Sequence, residues 1–170
     1  MTQFGLTDDQ HALLEVADRF GRNELLPLAE KMDNDEWWPP ELMAKLGANG
    51  LLGATIPEEF GGAGMGMLDS GLVLQAFSRW NHAFGLSWVA HDNLCANNIY
   101  ANGNDDVRRR FLPKLCSGEW TGCLGLTEPG AGSDALGSMR TTAVRDGDTY
   151  IVNGSKLYIT NGPVADVCLL

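Results

Sequence analysis

The chain is short of most features that would identify a function quickly. Its four cysteines, at 95, 116, 123 and 168, form no CxxC pair and no zinc-finger spacing. Its three histidines, at 11, 82 and 91, make no i,i+4 pair and no HExxH, so they read as structural or surface residues rather than metal ligands. There is no basic excess: 22 acidic residues against 12 basic ones give a net charge of −10 and a pI near 4.6. That balance disfavours non-specific binding to nucleic acid or to an anionic membrane. No apolar run is long enough to span a bilayer, and no signal or transit pattern opens the chain. A cytoplasmic protein with buried free thiols is the expectation. Repeats and low-complexity stretches are missing too. What remains is ordinary for a globular chain: 170 residues, 44% hydrophobic, enough to bury a sizeable core.

The first two-thirds has helical periodicity. Thr7 to Met32 reads as one long helix, with Thr7 and Gln10 as a capping box and Asp8 and Asp9 in the first turn. Gly21 and Pro27 should weaken or bend it. A second helix runs from Glu41 to about Ala48, with Pro40 ahead of it and Gly50 after it. The run Pro57–Gly66, whose glycines at 61, 62, 64 and 66 have two glutamates beside them, reads as a mobile connector rather than a phosphate cradle. Leu68–Phe84 is a buried helix with Leu72, Val73, Ala76, Phe77 and Trp80 on one face. Gly85 separates it from Leu86–Tyr100, apolar almost all round and therefore a core helix. A last helix spans Asp105–Leu115, its three arginines at 108–110 forming a solvated face.

From Trp120 the period changes to alternation. Thr141–Val144, Tyr150–Val152, Ser155–Thr160 and Val164–Leu170 read as strands of an antiparallel meander, with turns at Asp146-Gly147 and Asn153-Gly154. The fold class is therefore α+β: an all-α bundle over 1–119, then the first strands of an antiparallel β domain over 120–170.

Cys123–Asp134, CLGLTEPGAGSD, organises the second half. Pro129, Gly130 and Gly132 rule out regular structure there and leave an open backbone able to approach an anion. If Lys156–Thr160 is a strand, Tyr158 and Thr160 share a face. With Thr127 they would offer an aromatic wall and two hydroxyls to a flat heterocycle carrying phosphate. The residues alone suit equally well two plain strands with Tyr158 half buried.

GLTEPGAGSD (125–134) and KLYITNG (156–162) resemble the two flavin-binding signatures of the acyl-CoA dehydrogenase family. IPEEFGGAGMG (56–66) and AHDNLCANNIYANG (90–103) are also similar to it, leaning toward its short branched-chain members. The resemblance covers the whole chain in order. It implies a helical domain, a middle β-barrel and a C-terminal helical domain, with FAD against the β domain. It implies FAD contacts from Leu124, Leu126, Thr127, Gly132, Ser133, Tyr158, Ile159 and Thr160. Ser133 would also sit near the acyl-CoA, and residues 90–98 near the acyl pocket. Most members carry Trp where this chain has Tyr158. The implied reaction is α,β-dehydrogenation of an acyl-CoA thioester, with electrons passed to an electron-transfer flavoprotein and a homotetrameric assembly. The family's catalytic glutamate lies downstream of Leu170, so no catalytic base and no metal site is expected here, and the chain alone should be inactive. The alternatives are a flavin-dependent monooxygenase or oxidase on the same scaffold, and a non-catalytic helical interaction module.

Overall fold

The computed structural model describes residues 5–170. Helix α1 (Asp8–Phe20) opens on the expected capping box: Thr7 accepts from the Gln10 amide, and the Gln10 side chain returns to the Thr7 amide. The chain stays helical beyond it but changes pitch where sequence chemistry disturbs it. A π-helical turn covers Gly21–Leu25 and a 3₁₀ turn covers Leu26–Leu28 around Pro27, before α2 (Ala29–Asn34). Helix α3 (Leu42–Ala48) follows.

The Pro57–Gly66 loop is tied down by backbone bonds rather than left free. Ala63, Gly64 and Met65 donate to Gly53, Ile56 and Ala54. Ile56 and Phe60 are buried beneath it.

Helix α4 (Met67–Trp80) stops sooner than Phe84, and Gly85 is not the divider. The break is at Asn81, whose extended backbone and Oδ1, accepting from the Phe84 amide at 3.0 Å, start α5 (His82–Val89). Gly85 lies inside α5, where its missing side chain lets the helix close onto Ser78 of α4. The helix then widens into a π-helical segment, Ala90–Ala96, and resumes as α6 (Asn97–Asn102) and α7 (Asp105–Cys116).

Two hydrophobic clusters result. Phe77, Phe84 and Trp88, all fully buried, centre the first, between α1, α3, α4 and α5. Trp88 meets Phe77 edge-on at 5.8 Å and donates Nε1–H to the Leu51 carbonyl. The second cluster joins the π-helical segment to α6 and α7 through Cys95, Ile99, Leu112 and Leu115.

The β half departs from a meander. Strand β1 (Gly122–Leu124) pairs in parallel with β4 (Val167–Leu169), and Val167 and Leu169 pack on the second cluster. A short helix α8 (Ala135–Ser138) precedes the only antiparallel pair among the described residues, β2 (Thr142–Asp146) with β3 (Thr149–Asn153). Its two-residue turn takes Gly147 at φ +60°, the glycine-first pattern of a type II′ turn. Asn153-Gly154 makes no second hairpin, because Asn153 still pairs with Thr142. Ser155–Thr160 is not a strand. The strands form two separate two-stranded sheets and no closed barrel among the described residues.

Candidate functional site

Two segments lie side by side where the sequence signatures fall. The Leu157 amide donates to the Thr127 carbonyl at 2.9 Å. At the other end Asn161 Nδ2 donates to the Gly122 carbonyl at 3.1 Å and to the Ser87 carbonyl at 2.8 Å. Residues 122–127 and 157–161 therefore run antiparallel past each other. This brings Leu124, Leu126 and Thr127 alongside Tyr158, Ile159 and Thr160. The face they form is open: Tyr158 is 89% exposed and Leu126 41%.

The backbone, rather than strand alternation, presents Tyr158. Its φ is +57°, and Asn161, three residues on, is at +66°. Asn tolerates this left-handed region; a Tyr there costs roughly 1–2 kcal/mol. Such strain persists only where the surroundings impose it, and it concentrates at functional sites. Three residues on, Asn161 anchors the far end of this turn. Asn161 Oδ1 is buried with no partner among the described residues, so the two donated bonds carry the anchoring.

Lys156 does not join Tyr158 and Thr160 on a common face. Its Nζ turns back to Glu128 at 2.9 Å and to the Leu126 carbonyl at 3.1 Å. Glu128 is the hub of the loop. Its carboxylate accepts from the Arg140 amide at 2.7 Å and the Thr141 amide at 3.0 Å, and its own backbone bonds mutually with Ala131. The Thr141 hydroxyl beside it, the Arg140 amide and the Lys156 ammonium hold the carboxyl down at about 2, against an ordinary value of 4.5. A depressed carboxyl pKa adds stability above the ordinary value, and that stability is lost as pH falls through the folded one. Glu128 should therefore still be ionised, and the 128–141 loop still clamped, at pH 3. A carboxyl carbon NMR titration of Glu128 should give a midpoint near 2; a midpoint near 4.5 would show that the clamp does not form.

Beyond the Glu128–Ala131 turn the chain opens. A side chain added at Gly130 or Gly132 would meet nothing within 4 Å, and Gly132 and Ser133 are exposed. The loop leaves room for a ligand against its backbone.

Sequence reasoning passed over the residues that fix this face to the helices. His91 is fully buried in the π-helical segment. Its Nε2 faces the Leu115 carbonyl at 3.1 Å and its Nδ1 faces the Gly122 amide at 3.0 Å. A carbonyl only accepts and an amide N–H only donates, so the proton sits on Nε2 and the ring is neutral. Burial pushes its pKa down to about 4. Next to it, Asp92 accepts from the Gly53 and Ala54 amides, and burial pushes its carboxyl up to about 6. Within 90–98, the stretch expected near an acyl pocket, Ala90, His91, Asp92, Cys95 and Ala96 face the core, and Leu94 is 41% exposed. The cysteine expectation holds for Cys95, Cys116 and Cys123, which are buried, and fails for Cys168, which is exposed on β4. No helix of the described residues is long and apolar enough to cross a membrane.

Known proteins match along the whole chain. Residues 7–119 match the family described as "Acyl-CoA dehydrogenase, N-terminal domain", and residues 123–170 match "Acyl-CoA dehydrogenase, middle domain". Mitochondrial isovaleryl-CoA dehydrogenase of Bos taurus is 43% identical over 168 residues, 98% of this chain and 39% of that protein. The structure of a glutaryl-CoA dehydrogenase from Mycobacterium smegmatis in complex with FADH2 superposes with a TM-score of 0.90 at 34% identity, covering 96% of this chain and 42% of that one. Butyryl-CoA dehydrogenase from Megasphaera elsdenii gives 0.89 at 36% identity, covering 98% and 44%. The chain thus spans about two-fifths of the length of these relatives.

Proposed function

The chain belongs to the acyl-CoA dehydrogenase family, and on that premise we propose that it is the N-terminal part of an enzyme that uses FAD to dehydrogenate an acyl-CoA thioester between Cα and Cβ. In this reading residues 1–119 are the helical domain and 120–170 the first part of the flavin-holding β domain. The observation that carries it is Tyr158: an aromatic side chain held out into solvent on a left-handed backbone, next to Leu157, whose amide bonds to the Thr127 carbonyl, in a chain whose Gly130 and Gly132 stand open. An exposed ring and an open anion-accessible backbone fit a flat heterocycle bearing phosphate.

The division of labour follows from where the side chains stand. The backbone from Leu124 to Ser133 and the Thr127 hydroxyl would hold the polar edge of the isoalloxazine. Tyr158, Ile159 and Thr160 would flank the ring, and Gly132 and Ser133 would face the pyrophosphate, with Ser133 also near the acyl-CoA. Bound FAD supplies the two-electron acceptor for the reaction. Glu128 cannot act as the base that removes the α-proton. Its oxygens are already taken by the Arg140 and Thr141 amides and by Lys156, and a carboxyl held near 2 is a weak base. Its work is to keep the loop shaped. An electron-transfer flavoprotein as electron acceptor, a homotetramer and a reducing compartment such as the cytoplasm belong to the same proposal.

Titration of the chain with FAD, followed by flavin absorbance and fluorescence, tests it. Saturable binding is expected. Tyr158→Ala should weaken it about tenfold, the scale of one aromatic stacking contact, while far-UV circular dichroism stays the same. Equal affinity for the two proteins would remove Tyr158 from the site, and no binding at all by either would remove the flavin.

A further inference from the structure

Cys123 and Cys168 are direct partners in the parallel register of β1 and β4. Partners in a ladder point to the same side of the sheet, and neighbouring strands lie about 4.7–4.9 Å apart. That spacing falls within the Cα separation a disulfide spans, about 4.4–6.8 Å. The two thiols differ in access: Cys123 is 1% exposed, whereas Cys168 is open to solvent. Neither takes part in the proposed flavin contacts.

We propose that Cys123 and Cys168 form a redox-closable dithiol, in which exposed Cys168 reacts first with a peroxide and buried Cys123 resolves it to an intramolecular disulfide. The chemistry balances in two steps. The Cys168 thiolate attacks one oxygen of hydrogen peroxide; the O–O bond breaks, Cys168 becomes a sulfenic acid, and hydroxide leaves to take up a proton as water. The Cys123 sulfur, giving up its proton, then attacks the Cys168 sulfur; the S–O bond breaks and a second water leaves. Two thiols and one peroxide become one disulfide and two waters.

Position decides the order of events. Only Cys168 is accessible, so it meets the oxidant. Burial pushes the Cys123 thiol up to about 12, so little thiolate is present there until a neighbouring sulfenic acid captures it. Cys95 and Cys116 are buried without an exposed partner thiol directly across a strand pair. The closed form would lock β1 to β4. It would also alter the space beside Gly125, where an added side chain would stand 3.4 Å from Cys168 Sγ.

The test uses the reduced 170-residue chain, treated with about one equivalent of hydrogen peroxide and then blocked with iodoacetamide. Digestion at Lys, Arg and Glu puts Cys116 and Cys123 on different peptides, because Glu119 lies between them. Loss of two of the four thiols is expected, with mass spectrometry finding the Cys123 and Cys168 peptides joined and dithiothreitol separating them. Cys168→Ser, at an exposed position, should abolish the link with the fold intact; Cys123→Ser should leave Cys168 stopped at sulfenic acid. Oxidation of the parent chain that stops at Cys168, a link to Cys95 or Cys116, or a link between two chains would each overturn the proposal. The readout needs no flavin, so it stands or falls separately from the dehydrogenase reading.

Discussion

Asn161→Ala should cost the fold about 3 kcal/mol and take flavin binding with it. Two contributions add. The substitution removes both hydrogen bonds from Nδ2, leaving the Gly122 carbonyl without this donor and the Ser87 carbonyl with only the Ala90 amide, each lost bond worth about 1 kcal/mol. It also puts a β-carbon without a local hydrogen-bonding side chain at φ +66°, a further cost of about 1 kcal/mol. Asn161→Gly separates the two, since glycine accepts the backbone without strain but loses the same bonds. Urea denaturation should therefore rank the proteins parent, Asn161→Gly, Asn161→Ala. Both variants should bind FAD more weakly than the parent, because the strained Tyr158 turn loses its far anchor. A variant that keeps full FAD affinity after losing the stability would show that the turn does not depend on Asn161.

The second large effect centres on His91, through which the helices grip β1. His91→Ala should destabilise the chain by about 3 kcal/mol at pH 7, since it strands the Gly122 amide in a buried site, removes one of the bonds to the Leu115 carbonyl and opens a void. The deficit should shrink with acid. The folded-state pKa of about 4 lies below the ordinary 6.5, so the unfolded chain binds the proton first as pH falls. The stability that neutral His91 provides is thus complete above pH 6.5 and is lost as pH falls toward 4. A gap between parent and variant that stays constant over that range would contradict the neutral, doubly bonded ring. Asp92 works in the opposite direction. Its folded-state pKa of about 6 lies above the ordinary 3.8, so burying its charge costs most above pH 6 and the cost is relieved in acid. The two neighbours offset each other in the parent, which makes the difference between parent and variant the informative quantity.

The parts of this architecture that were legible in the sequence are those written in local chemistry. Thr7 with Gln10, Pro27 in the chain after α1 and Gly147 in its turn each act within a few residues. The misreadings share one cause, a partner far along the chain. Gly85 resembles a breaker until it is seen against Ser78. Val167–Leu169 alternates like a meander strand, yet its partner is β1 and the pairing is parallel. Nothing in periodicity marks His91 and Asp92 as buried, because their bonds go to residues 24 to 39 positions away. At the candidate site Tyr158 was singled out with the wrong geometry in mind. The motif marks the residue, while its positive φ lies in a turn whose far end is held by Asn161 on Ser87, 74 positions away.

The β1–β4 pairing also constrains how the molecule is made. Each residue of β1 finds its partner 45 positions later. During synthesis the helices α1 to α7, which emerge first, and the β2–β3 hairpin, whose contacts are closer in sequence, can settle while β1 still waits with an unpaired edge. Joining it closes a long loop, a slow kind of step. Over that interval the nascent chain is most exposed to pairing with a stranger.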